Sequence, residues 1–486
     1  MTYDSKNFKI IDNNSFKGSK MQEKSSSLPH AILVFMTLIL MISIGFFKME
    51  ISLHVILYFV LIWVALNARL LGYTFGQIRR MMSESIARSL SAIYVFLLIG
   101  MVIASFMQSG TVVALIYYGL DWITAQWFLP VGLILCALMS LATGTSWGTV
   151  GTLGVVFIGI GTVLNVPLPL VAGMIISGAT FGDKLSPVSD TTNLAAMSSD
   201  TDLYEHIHSM LYTTIPTFII VFVLFAYLGY GSDQTSSFAE ISNIQQVLAD
   251  NYKLNPFITF IPLLVLFILS VKKFAPEVTM TTSIVVASLI AIFYQDNSIT
   301  SVANALWENS NGDTGVEMID ELLGRGGLYS MAWTLLLSMM AIAMGGVLHG
   351  AGFLTVLLKG IIRGIKTTGS LVTATITTGF IGNLSMGETY IVIILNSQLY
   401  KKAYKKNKVR SSVLSRSVEE GSTLTTALIP WSTTSIFYVS TLGVKTMDYA
   451  PYALLNYINP LLAIVFAYLG IAIFKIKKSE KEAVSI

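Results

Sequence analysis

Charge is scarce in this sequence. Only 12% of its 486 residues are Asp, Glu, Lys or Arg, about half the quarter that soluble domains carry. Cysteine is scarcer still: Cys136 stands alone in the apolar run VGLILCALM. A lone thiol excludes an intrachain disulfide and a cysteine-built metal cluster, and in that setting it reads as a packed small hydrophobe. Histidine is limited to five residues and none begins an HExxH pattern, so a metalloprotease helix is missing. His206 and His208 sit two apart, a spacing that does not share a helix face. A membrane-embedded enzyme would need a nucleophile–base pair or a metal cluster inside its spans; the reading is that the chain is not an enzyme and has no resident cofactor. The net charge of +3 carries no nucleic-acid signal, because the basic residues flank apolar runs.

Apolar length is what the chain has in abundance. Hydrophobic residues make up 54% of it, and the mean hydropathy is +0.70. Runs of about 20 residues, enough to cross a bilayer, recur at 28–47, 51–66, 211–230, 256–271, 329–348 and 456–476. The fold class is therefore an all-α polytopic membrane protein, with the lipid bilayer as its first partner. Lysine and arginine mark cytoplasmic loops. They gather at Lys6, Lys9, Lys17, Lys20 and Lys24, at Arg69, Arg79, Arg80 and Arg88, at Lys272 and Lys273, at Lys359, Arg363 and Lys366, in KKAYKKNKVR at 401–410, and at Lys475, Lys477 and Lys478. The stretches 231–254 and 295–328 are acidic and fit the outside. Both termini are then cytoplasmic, with 1–27 and 477–486 as polar tails. The first has no small-residue cleavage site and is not a signal peptide.

One apolar segment breaks simple counting. Residues 370–398 have basic flanks on both sides and a helix-breaking centre, GNLSMGE. They are too short for two crossings, which need about 40 residues. The segment reads as a re-entrant helical hairpin with its tip at mid-membrane, where irregular backbone survives only against protein or a polar cavity. Residues 129–164, with SLATGTSWGT at their centre, form a second such hairpin. Aligning Gly144-Thr-Ser-Trp-Gly with Asn383-Leu-Ser-Met-Gly gives an offset of 239 (385 − 146); Gly119 on Gly360 gives 241 (360 − 119), and Pro187 on Pro430 gives 243 (430 − 187). Three near-equal offsets imply two repeats, 28–230 and 256–476, joined by an extracellular loop at 231–255. Each holds about five spanning helices, a hairpin and a broken helix. An odd number of crossings makes the repeats inverted, the ground plan of alternating-access carriers.

The polar residues then have a place. In GDKLSPVSDTT, Pro187 removes a backbone hydrogen bond, and Gly178 and Gly182 are read as loosening the turn. Freed carbonyls and hydroxyls can ligate a hard cation. This stretch offers Asp183, Ser186, Ser189, Asp190, Thr191 and Thr192, and the first hairpin tip adds Thr145 and Ser146. The second repeat offers Asn383, Ser385 and Glu388 at its tip, and Glu419, Glu420, Ser432, Thr433 and Thr434 on its broken helix. A carboxylate in mid-membrane costs roughly 2.5–3.5 kcal/mol on insertion scales. Two within seven residues call for compensation, which a site binding either sodium or a proton supplies. Plainer readings stay open: Asp190 as a helix cap, Asp183 paired with Lys184, Glu419 and Glu420 solvated beside a basic loop. No arginine falls inside a span or hairpin on this reading, which disfavours a fixed dicarboxylate clamp. A channel would explain polar tips but not titratable aspartates beside an inverted repeat.

GTSWGTVGTLGV followed by SGATFGDKLSPVSDTTNLA resembles the signature of NhaC-type sodium/proton antiporters, a group that includes malate–lactate antiporters. The resemblance spans about 30–475. It implies secondary Na+/H+ antiport by alternating access, with sodium and protons as cargo, and as alternatives the exchange of a small organic anion or an amino acid coupled to those ions. It implies a homodimer. It places Asp183, Ser186, Asp190, Thr191, Thr192 and Asn193 at the ion site, with Asp183 and Asp190 on sodium, and it carries Glu388 and Glu420 less diagnostically.

Overall fold

A computed structural model describes residues 26–122, 125–230, 238–310, 314–362 and 367–476, with Gly312 and Ile365. Almost all of the two polar tails, and with them Lys6, Lys9, Lys17, Lys20, Lys24, Lys477 and Lys478, lies outside the described residues, as do Arg363, Lys366 and residues 231–237 of the acidic stretch. Among the described residues the chain is helical, with one isolated bridge between Val409 and Lys475. Seven single helices are long and apolar enough to cross a bilayer, and three bent pairs raise the number to ten. Residues such as Leu33, Met36 and Leu40 of the first span are exposed, while Ala31, Val34 and Leu38 of the same helix are buried. An apolar outer face of this kind suits lipid, where every backbone group must be satisfied within the helix.

The middle of each half breaks its helices in the same way. Helix Ala125–Thr143 ends at Gly144, which has φ +72°, and a new helix runs Ser146–Val163. Helix Thr368–Met386 ends at Gly387, with φ +63°, and a new helix runs Thr389–Lys406. Left-handed backbone of this kind costs glycine nothing and other residues strain. Helix Leu168–Leu185 breaks before Asp190–Ser198, and helix Ser411–Thr426 breaks before Thr433–Leu442. The proline in each gap, Pro187 or Pro430, cannot donate to a continuing helix. Helix Thr389–Lys406 runs past the end of the apolar segment 370–398, because the polar end LYKKAYKK stays helical.

The backbone corrects the register of the sequence alignment. Gly144 corresponds to Gly387, not to Asn383, which makes the spacing 243 (387 − 144). The helix starts Ser146 and Thr389, Leu168 and Ser411, Asp190 and Thr433, and Leu203 and Thr446 keep the same spacing of 243 (389 − 146, 411 − 168, 433 − 190, 446 − 203). Glycine packing repeats too. A Cβ on Gly178 would meet the Leu133 carbonyl at 2.6 Å, and one on Gly421 would meet the Ile376 carbonyl at 2.4 Å. Gly178 and Gly182 therefore lie inside a helix and let it press onto helix Ala125–Thr143; they do not loosen the turn.

The two halves cross at their breaks. Asp190–Ser198 of the first half packs on Thr389–Lys406 of the second, and Thr433–Leu442 of the second packs on the first-half turn Val150–Gly154. The closing helices cross likewise, Leu203–Tyr230 onto Ser411–Thr426 and Leu454–Leu469 onto Leu168–Leu185. Four helix ends of each polarity thus meet in the interior.

Candidate ion-binding site

The helix starts at Ser146, Asp190, Thr389 and Thr433 all border one cavity of about 260 Å³. Helix N-termini carry partial positive charge and unpaired N–H groups, so they hold carboxylates well in a dry setting. Four carboxylates border it: Asp183, Asp190, Glu388 and the half-buried Glu277.

Asp183 is buried at 7% exposure. Its Oδ2 accepts a 2.7 Å hydrogen bond from Ser146 Oγ across the two elements. Its Oδ1 has no partner. Around it, Thr389, Thr423, Thr426 and Tyr438 also line the cavity and each has an unpartnered hydroxyl. Buried polar atoms are normally satisfied. An orphaned carboxylate oxygen facing orphaned hydroxyls is the oxygen-rich set that a hard cation takes. Among the described residues no three His, Cys, Asp or Glu side chains close on one point. A sodium here would therefore rest on one carboxylate and several neutral oxygens, with Asp183 the best placed.

Asp190 heads its helix, but the cap is Ser189, whose Oγ accepts from the Thr192 N–H at 3.4 Å. Asp190 Oδ1 accepts from the Thr191 N–H at 2.9 Å, and Oδ2 accepts from Tyr390 Oη at 2.5 Å. Glu388 caps the helix that starts at Thr389; its Oε1 accepts from the Tyr390 N–H and its Oε2 from Thr433 Oγ1, each at 3.4 Å. Thr145 caps its own helix through Gly148 N–H at 3.2 Å and borders the cavity. Thr145 and Asp190 also border a wider vestibule of about 460 Å³ that reaches Lys273 and Phe274.

The remaining sequence candidates separate into groups. Thr191, Thr433 and Thr434 line the cavity. Ser186, Thr192, Asn193 and Ser432 instead tie the breaks together: Thr192 Oγ1 donates to the Lys184 carbonyl at 3.1 Å, Asn193 to the Pro187 carbonyl at 3.0 Å and Ser432 to the Thr426 carbonyl at 2.6 Å, while Ser186 accepts from Val188 N–H at 3.3 Å. Asn383 and Ser385 lie one turn back from the tip. Asn383 donates to the Ser422 carbonyl, and Ser385 donates to its own helix at Ile381, both at 2.5 Å. Neither lines the cavity.

One expectation and two of the plainer readings are corrected. Glu419 and Glu420 are fully buried, not solvated. Arg416, also fully buried, lies in the same helix, so an arginine does sit in the interior of the helical bundle. Lys184 turns away from Asp183 toward Asn459 Oδ1 at 2.6 Å and Glu420 Oε1 at 3.7 Å. Glu420, held by Thr213 Oγ1 at 2.6 Å, belongs to that cluster and not to the cavity lining. Tyr390, Thr180, Thr423 and Tyr438 line the cavity without having been singled out. Thr423 and Thr426 alone carried a signal, three to seven residues beyond Glu419 and Glu420 on one helix. GTSWG does fit the GxSxG pattern, yet Ser146 gives its proton to a carboxylate, and among the described residues no histidine borders the cavity.

Fold and site define a multi-pass membrane protein with a polar cavity between broken helices. The sequence profile of the Na+/H+ antiporter family matches residues 1–192 and 178–471, and the chain belongs to that family. It is 36% identical over 456 residues to the Na+/H+ antiporter NhaC of Alkalihalophilus pseudofirmus, covering 93% of this chain and 98% of that one. It is 34% identical over 415 residues to the malate-2H+/Na+-lactate antiporter of Bacillus subtilis, covering 85% and 88%. It is 30% identical over 452 residues to the arginine/ornithine antiporter ArcD of Halobacterium salinarum, covering 92% and 93%.

Proposed function

We propose that this protein is a secondary Na+/H+ antiporter that works by alternating access. The observation that carries the reading is the bare Asp183 Oδ1 facing unpartnered hydroxyls in a cavity bordered by four helix starts. Sodium and protons compete for Asp183 and Asp190, and Glu388 borders the same cavity. A cation enters through the vestibule beside Lys273, which by the distribution of basic loops faces the cytoplasm. The constant spacing of breaks, glycines and helix starts supports two inverted repeats with re-entrant hairpins, and the charge distribution supports cytoplasmic termini. A homodimer is part of the proposal, on the resemblance alone.

The test is a sodium pulse to proteoliposomes containing a pH-sensitive dye. Sodium should drive proton movement in the wild type. D190N should abolish it while the protein still folds and inserts, and D183N should do so at least in part. Wild-type rates in both variants would move the ion site to the second half, starting with Glu388. A second reading, exchange of a small organic anion or amino acid with these ions, is favoured by cavity size: about 260 Å³ exceeds the need of a bare sodium ion. Adding malate, lactate or arginine to the same assay distinguishes the two.

A further inference from the structure

Glu419 is a buried acid that the cavity does not use. It is 0% exposed, and neither carboxylate oxygen has a hydrogen-bond partner. Its Oε2 lies 3.6 Å from Nε2 of His206, which is equally buried and has no hydrogen bond at that nitrogen. The other imidazole nitrogen, Nδ1, lies 2.7 Å from Ser415 Oγ. That hydroxyl donates to the Ser412 carbonyl at 3.1 Å. A hydroxyl has a single proton, so in this arrangement Nδ1 is the donor and a neutral His206 turns a bare Nε2 lone pair toward Glu419. Two acceptors facing each other in a dry site need one proton between them.

The surroundings leave that proton free to move. Lys184 Nζ and Arg416 Nε lie 3.7 and 4.0 Å from Glu420 Oε1, so two cations stand against two glutamates and the imidazole remains as the uncommitted group. Buried Tyr404, on helix Thr389–Lys406, bonds Thr375 Oγ1 at 3.2 Å, and that helix and Asp190–Ser198 both pack on Ser411–Thr426. Asp202 and Glu205, beside His206 in sequence, are exposed, and His208 turns away onto Tyr212 and Phe474.

Position gives the pair a use. His206 sits in the first turn of helix Leu203–Tyr230, next to exposed Tyr204 and Glu205. Glu419 shares a helix face with Thr423 and Thr426, four and seven residues on, and both of those line the cavity. We infer that Glu419 and His206 form a proton-transfer pair that links cytoplasmic water to the cation cavity along a path separate from the sodium vestibule. The imidazolium gives its Nε2 proton to Glu419 Oε2, leaving a neutral imidazole and a carboxylic acid. The acid then passes that proton along the threonine face to a cavity carboxylate as sodium leaves, and returns to carboxylate.

This inference rests on the sodium/proton reading, and its test separates the two. Full-length protein is reconstituted and assayed twice: for sodium-driven proton movement, and for exchange of ²²Na+ against Na+ at equal pH, which needs no net proton transfer. E419Q should slow proton movement at least ten-fold while Na+/Na+ exchange stays within two-fold of wild type. H206Q should slow proton movement and change its pH profile, again sparing Na+/Na+ exchange. If E419Q fails to insert, H206Q decides on the same two assays. Wild-type proton movement with an unchanged pH profile overturns the pair, and so does an equal fall in both activities. A wild-type protein that moves no sodium would instead overturn the antiport reading.

Discussion

Removing the Ser146 hydroxyl tests whether Asp183 is a ligand. Ser146 Oγ donates a 2.7 Å hydrogen bond to Asp183 Oδ2, and both groups are buried. A hydrogen bond to a charged group contributes about 1.5–3 kcal/mol. In S146A that contribution is lost only while the carboxylate is ionised, which is also the state that binds sodium. Proton binding is thereby favoured over sodium binding. At about 1.4 kcal/mol per ten-fold change, half-saturating sodium should rise roughly ten- to a hundred-fold. S146T keeps the hydroxyl and should stay near wild type. The assay is the sodium dependence of proton movement in proteoliposomes, with N-methylglucamine holding ionic strength constant. Half-saturation within two-fold of wild type in S146A would refute the reasoning and remove Asp183 from the sodium shell.

Other outcomes follow from the same geometry. G182V should lower thermal stability in detergent by several degrees, because even a Cβ would fall 2.2 Å from the Ala137 carbonyl and overpacking costs about 1–3 kcal/mol; an unchanged melting curve would count against the close approach. With Cys136 already fully buried, T145C should react with an aqueous thiol reagent, whereas N383C and S385C, at 0% exposure, should stay inert; the reverse pattern would put the second tip in water. K405C should label from the cytoplasm and S310C from outside, and labelling from one side would break the inverted-repeat proposal.

The sequence made part of this site legible, and physical reasons separate that part from the rest. Asp183 and Asp190 stood out because carboxylates inside an apolar run are expensive wherever the run packs. The helix breaks stood out because Pro187 and Pro430 act locally. The hairpin register went wrong by four residues because it matched side-chain chemistry, Ser146 with Ser385. The structure aligns backbone instead, through the positive φ of Gly144 and Gly387. Arg416, Glu419 and Glu420 were harder. SRSVEEGS has the polarity of a loop edge, and contact with helices Thr368–Met386, Thr389–Lys406, Leu203–Tyr230 and Leu454–Leu469 makes it interior. Lys184 likewise has its partners, Asn459 and Glu420, more than two hundred residues away. Such distant contacts leave no periodic trace in one sequence.

Direct binding of ²²Na+ to purified protein at two pH values tests the central claim without requiring transport. Wild type should show saturable binding whose affinity weakens as pH falls, since sodium and protons compete for one cavity. D183N, which keeps the shape of the side chain and one oxygen, should lose saturable binding at both pH values. Saturable binding in D183N with wild-type affinity and wild-type pH dependence would contradict the account, because the bare Asp183 oxygen could not then be where sodium sits.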